Sequence, residues 1–167
     1  MAIGQIGFPY GAPWLRVKAR VGDVEPAVVG NCLVALLALE APGCIEFVAG
    51  FLDADPDLQV EAAAALAVAR APESIGALTK LCPRERSFEL RRTIVTSLGA
   101  STIPEAADFL LEVVAEPDQE LATAALESLA ASRFTTKCRD RAEATVTVRG
   151  SEALRSAFQR HFDDVTL

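Results

Sequence analysis

The chain has 167 residues, 51% of them apolar and 23% charged, which suits one domain with a buried core and excludes a disordered segment. Its net charge of −7 argues against nucleic-acid binding, because a protein that neutralises several phosphates needs a basic surface. Aromatics are only 6% while alanine and leucine abound, so the composition favours helices packed through small side chains over a β-rich core.

Residues 1–22 differ in kind from the rest. Gly4, Gly7, Gly11 and Gly22 with Pro9 and Pro13 predict that no long helix forms there. The segment also holds Phe8, Tyr10 and Trp14, which include the single tyrosine and the single tryptophan. It lacks a basic region followed by an unbroken apolar run, so no signal peptide is expected. No apolar run in the chain approaches the roughly 20 residues of a membrane span.

From residue 23 onward the punctuation becomes regular, and residues 23–167 read as one repeat domain. Helix caps are expected at Asp23, Asp55, Ser87, Asp118 and Ser151, at steps of 32, 32, 31 and 33 residues. A second helix of each unit is expected to open at Pro42, Pro72, Pro104 and Thr135, at steps of 30, 32 and 31. Leucine columns keep the same register, Leu58, Leu90, Leu121 and Leu154, then Leu66, Leu98 and Leu129 with Phe162 closing the set. A period near 31 residues with two helices per unit predicts an all-α fold, an α-solenoid of about four to five helical hairpins and about nine helices. The fourth unit has "FTTKCRD" where the proline should be, and the helix that follows ends in β-branched "TVTV", so that helix is expected to be irregular or short.

The stretch "VEAAAALAVARAPES", residues 60–74, holds eight apolar residues in a row, Ala62 to Ala69. With Leu58, Ala62, Ala65, Leu66 and Ala69 toward the core, 100° per residue places Val60, Ala64 and Ala67 on the opposite side. The corresponding columns of later units read Arg92 and Thr96, then Thr123 and Glu127. The preceding helix, which carries Val34, is also apolar nearly all round. The inner face is therefore expected to be apolar in the first two units and polar in the last, where Arg160 joins it.

"LQVEAAAALAVARAPESIGALTKL" and "LRRTIVTSLGASTIPEAADFLLEVV" resemble the short HEAT-like repeats of bacterial proteins, including subunits of phycobilin lyases. The matched features are an alanine-rich helix, a short break and Pro-Glu opening the next helix, over about residues 23–163. The resemblance implies stacked antiparallel hairpins in a right-handed superhelix. For function it implies a non-catalytic protein–protein interaction module, an adaptor, scaffold or accessory subunit that binds a protein partner through the inner face. The alternative it carries is a subunit of a bilin-lyase-like or other HEAT-repeat enzyme.

Three covers for the apolar inner half stay open. Residues 8–18 can fold back onto Val34, Val60 or Ala64, a partner protein can bind there, or the chain can self-associate. Charge bears on all three. Residues 1–20 carry +3, residues 21–69 carry eight acids and no lysine or arginine, and residues 133–160 carry +4, so a homo-oligomer can form through ends of unlike charge.

Catalytic chemistry finds no footing in the sequence. The one histidine, His161, has no assignable nucleophile, and no phosphate-binding glycine loop or zinc-protease motif is present. "DADPD" lacks the spacing of a calcium loop and caps a helix instead. No catalytic residue, metal or cofactor is therefore expected. Arg84, Arg86 and Arg91 gather near the Ser87 helix start and form a candidate anion site. Cys32, Cys44, Cys82 and Cys138 have neither zinc nor redox spacing, which fits free thiols and a cytoplasmic location.

Overall fold

The computed structural model describes residues 11–84 and 87–163. Among them are ten α-helices and no strand: α1 (Ala12–Val21), α2 (Pro26–Ala38), α3 (Cys44–Ala49), α4 (Pro56–Val68), α5 (Pro72–Leu81), α6 (Phe88–Leu98), α7 (Pro104–Ala115), α8 (Gln119–Ala131), α9 (Thr135–Arg149) and α10 (Glu152–Phe158). Short 3₁₀ turns follow α3 and α5, and a π turn, Gln159–Asp163, ends the described chain.

The helices alternate between two layers. In the first layer α2, α4, α6, α8 and α10 each pack on the next, and in the second α3, α5, α7 and α9 do the same. Each unit is a hairpin with one helix in each layer, and the fold is an all-α solenoid. The caps start the first-layer helices as expected. Asp55 accepts from the Leu58 amide, Ser87 from Leu90, Asp118 from Glu120 and Leu121, and Ser151 from Leu154. Each satisfies amide donors that the first turn would otherwise leave unpaired.

The core is the seam between the layers. Ala62, Ala65 and Leu66 are wholly buried, as are Leu33, Leu36, Ile94, Leu110, Leu126 and Leu129. Small residues set the spacing. Glu61 of α4 extends over Gly30 of α2, where a methyl group would meet its carboxylate, and Gly99 at the end of α6 abuts Ser128 of α8. Of the four cysteines, Cys44, Cys82 and Cys138 are buried and Cys32 half-buried, all as free thiols, and burial pushes the Cys32 thiol up.

Six expectations are corrected. Residues 12–21 form a helix despite their flanking glycines, because Pro13 stands in the first turn, where its missing N–H costs nothing, and Gly22 ends the helix at φ 82°. Pro13 also precedes Pro42 by about one repeat, so it continues the proline column. Trp14 does not fold onto the inner face but is 69% exposed, since α1 buries Ala12, Leu15 and Ala19 against α2 instead. Residues 8–10 lie outside the described residues.

The cap of α2 is Glu25, not Asp23. Asp23 accepts from the Glu25 amide and from Lys18 Nζ, tying α1 to the turn. The helix expected at Pro42 opens at Cys44, because Gly43 takes the left-handed region (φ 65°) and turns the chain first. Ala67 is buried, not opposite the core, since α4 is covered on three sides. The helix with "TVTV" is the longest of the ten. Thr145 and Thr147 hydroxyls donate to the carbonyls of Arg141 and Glu143, Val146 is buried, and left-handed Gly150 ends it cleanly.

Candidate functional site on the outward face of the first layer

Every residue expected on the inner face belongs to a first-layer helix or, for Arg160, to the π turn that continues α10. Val34, Val60, Ala64, Arg92, Thr96, Glu127 and Arg160 are exposed, and Thr123 is half-buried. The structure divides them into two neighbouring patches.

The first patch is apolar. Val60, Ala64 and Val68 stand at successive turns of α4, and Val34 lies on the adjacent α2. Val34 and Val68 line a groove of about 780 Å³ between the carboxy ends of α2 and α4 and the starts of α3 and α5. Its walls include Leu37, Ile45 and Ala65, and its rim carries Glu40, Glu46, Arg70 and Glu73.

The second patch is polar. Arg92, Thr123 and Glu127 line one groove of about 340 Å³ between α6 and α8, together with Phe88 and Gln119. Its wall is braced by hydrogen bonds. Ser151 Oγ donates to Gln119 Oε1 at 2.9 Å, and Thr123 Oγ1 donates to the Gln119 carbonyl at 2.8 Å. His161 Nε2 lies 3.6 Å from Glu127 Oε1. Thr96 sits one turn beyond Arg92, outside the groove lining, and Arg160 donates from Nε to the Ser156 carbonyl.

Phe88 and Gln119 escape the sequence reading, although each directly follows a cap residue and they are 31 residues apart. The cap column itself was the signal. Val68 was legible as two turns on from Val60.

Of the three arginines expected as an anion site, Arg84, Arg86 and Arg91, the structure describes two. Arg91 is turned to the α7–α8 junction, 2.7 Å from Glu116 and 4.0 Å from Asp118, so its charge is already answered. Arg84 is exposed in the 3₁₀ turn, and Arg86 lies outside the described residues. Among the described residues no group of three His, Cys, Asp or Glu side chains could hold a metal ion, and no helix is long and apolar enough to cross a membrane.

Comparison with protein families matches residues 45–130 to HEAT repeats, just over half of the 167-residue chain. The chain belongs to the HEAT-repeat family. HEAT repeats in general are protein-interaction modules, and the matched span runs from α3 to α8, taking in the polar groove and the α4 and α5 side of the apolar one but not its α2 wall. No curated protein matches this HEAT-repeat chain.

Proposed function

We propose that the chain is a non-catalytic adaptor or accessory subunit that binds a partner protein through the outward face of its first layer. One observation supports this reading: Val34, Val60 and Val68 stay exposed on two adjacent helices, next to a polar groove with a braced wall, while Trp14, Val17 and Val21 form a separate exposed apolar stripe on α1. Exposed apolar side chains gathered on one face, bordered by polar groups, mark contact surfaces, since isolated ones would be scattered. The second layer offers a different surface. Its outward positions on α7 are Glu105, Asp108 and Glu112, and Asp108 is paired with Arg141 of α9 at 2.6 Å.

The division of the face gives the partner two kinds of anchor. The valines supply area that is favourable to bury, at roughly 25 cal/mol per Å². Arg92, an exposed guanidinium, supplies orientation beside Phe88 and Thr123. Association of copies end to end is less well supported. The basic helix α1 packs on α2 at the amino end, so the acid-rich residues 21–69 do not form that end alone.

Affinity capture with the whole chain tests the proposal. A protein recovered in stoichiometric amount, with the chain's absorbance spectrum unchanged, agrees with it. Recovery of nothing above background, or a chromophore bound with spectral change, would count against it.

A further inference from the structure

We infer that the 780 Å³ groove receives a basic amphipathic helix of the partner, with apolar residues on Val34, Leu37, Ile45 and Val68 and lysines or arginines against Glu40, Glu46 and Glu73. The inference rests on the reading of the chain as a protein-interaction module and names the chemistry of the segment it takes.

The groove matches the helix-in-groove mode of recognition, in which an amphipathic helix lays apolar anchors into an open apolar trough. Its rim sets the sign of the partner's charge. Three carboxylates stand with one guanidinium, Arg70, and Arg16 of α1 reaches the Gly43 edge beside Glu46, which leaves the rim with more acid than base on its own residues. Among the described residues none of the three carboxylates has an ion-pair partner within 4 Å, whereas Asp23, Asp108, Glu116 and Asp118 each do. The surrounding chain reinforces the field, with eight acids and no lysine or arginine in residues 21–69. A cleft of one sign raises the local concentration of the opposite charge and fixes its register.

Glu40 stands at the mouth of the groove. It holds φ at 49°, in the left-handed region where glycine sits without strain and other residues are uncommon. That conformation ends α2 and sets Glu40 at the groove mouth.

The chain's own basic amino-terminal helix is not the occupant, because it is already engaged, and the basic residues 133–160 of a second copy are the competing occupant that sedimentation tests. Arg16 and Arg20 rest over the Phe47 ring at 5.2 and 5.4 Å, Arg16 also donates to the Pro42 carbonyl, and Lys18 pairs with Asp23.

Fluorescence anisotropy with the whole chain tests this. The probe is a labelled synthetic helix of about 18 residues with leucines on one side and lysines on the other, which spans five turns. Its control carries glutamate at every lysine position. The lysine peptide should bind and the glutamate peptide should not. The double variant Glu40→Gly, Glu73→Gln should weaken binding about tenfold or more while melting no more than a few degrees below wild type. Glu105→Gln with Glu112→Gln, which removes equal charge from α7, should leave affinity within about twofold.

Absence of lysine-peptide binding, equal binding of the glutamate peptide, or equal losses in the two variants would overturn the inference. So would a wild-type dimer in sedimentation that the Glu40→Gly, Glu73→Gln variant dissociates, since the groove would then hold a second copy. A captured protein that survives the groove substitutions would leave the interaction-module reading standing while the groove proposal fell.

Discussion

Gly99 at the end of α6 lies so close to Ser128 of α8 that a methyl group on it would sit 2.9 Å from the Ser128 carbonyl oxygen and 3.1 Å from its Cβ. Backbone cannot swing aside as a side chain can. Gly99→Ala should therefore destabilise the fold by about 1–3 kcal/mol, the usual cost of overpacking. Gly76, inside α5, has nothing within 4 Å of the same position, and Gly76→Ala should stabilise by up to about 1 kcal/mol through helix propensity and reduced unfolded-state entropy. Thermal melts of the two variants check the contrast. Equal shifts in the same direction would contradict it.

Leu66 is wholly buried in α4, between α2 and α6 in its own layer. Leu66→Ala should cost about 2–5 kcal/mol, the range for large-to-small core changes. Chemical denaturation gives the value directly. A midpoint unchanged from wild type would mean that α4 presents a different side to the core.

Lys18 Nζ lies 2.5 Å from Asp23 Oδ2, and its hydrogen bond holds the Asp23 carboxyl below the ordinary carboxylate value. A carboxyl whose folded value is depressed contributes stability above its unfolded value and loses it as pH falls through the folded value. Lys18→Met should move the Asp23 titration back up, toward its ordinary range, and shift acid unfolding of α1 to higher pH. Side-chain carboxyl NMR reads the first effect. An Asp23 titration indifferent to Lys18 would show that the pair does not form in solution.

The repeat was legible because its signals are local. A cap residue, a first-turn proline and a leucine column each act within one turn of helix, so Asp55, Pro72 and Leu66 announce their places without tertiary context. What the sequence hid depended on neighbours. Pro13 extends the proline column by one step, but the surrounding glycines masked it, and α1 went unread. Ala67 is polar-side by the helical wheel yet buried, because a helix inside a stack is enclosed on more than one face. At the candidate site, Arg92, Thr123 and Glu127 could be grouped from register alone. The bracing of Gln119 by Ser151, 32 residues away, could not, since it depends on how closely α8 and α10 approach.

The central claim, that the outward face of the first layer binds a protein, is tested most directly by capture with matched surface variants. Val60→Asp with Arg92→Glu alters that face, and Glu105→Lys with Glu112→Lys alters the second layer, all at exposed positions where substitution should change stability by no more than about 0.5 kcal/mol per site. The account predicts that a stoichiometric partner held by the wild-type chain is lost from the first variant and kept by the second, with both melting close to wild type. Retention of the partner by the first variant, or its loss from the second alone, would contradict it.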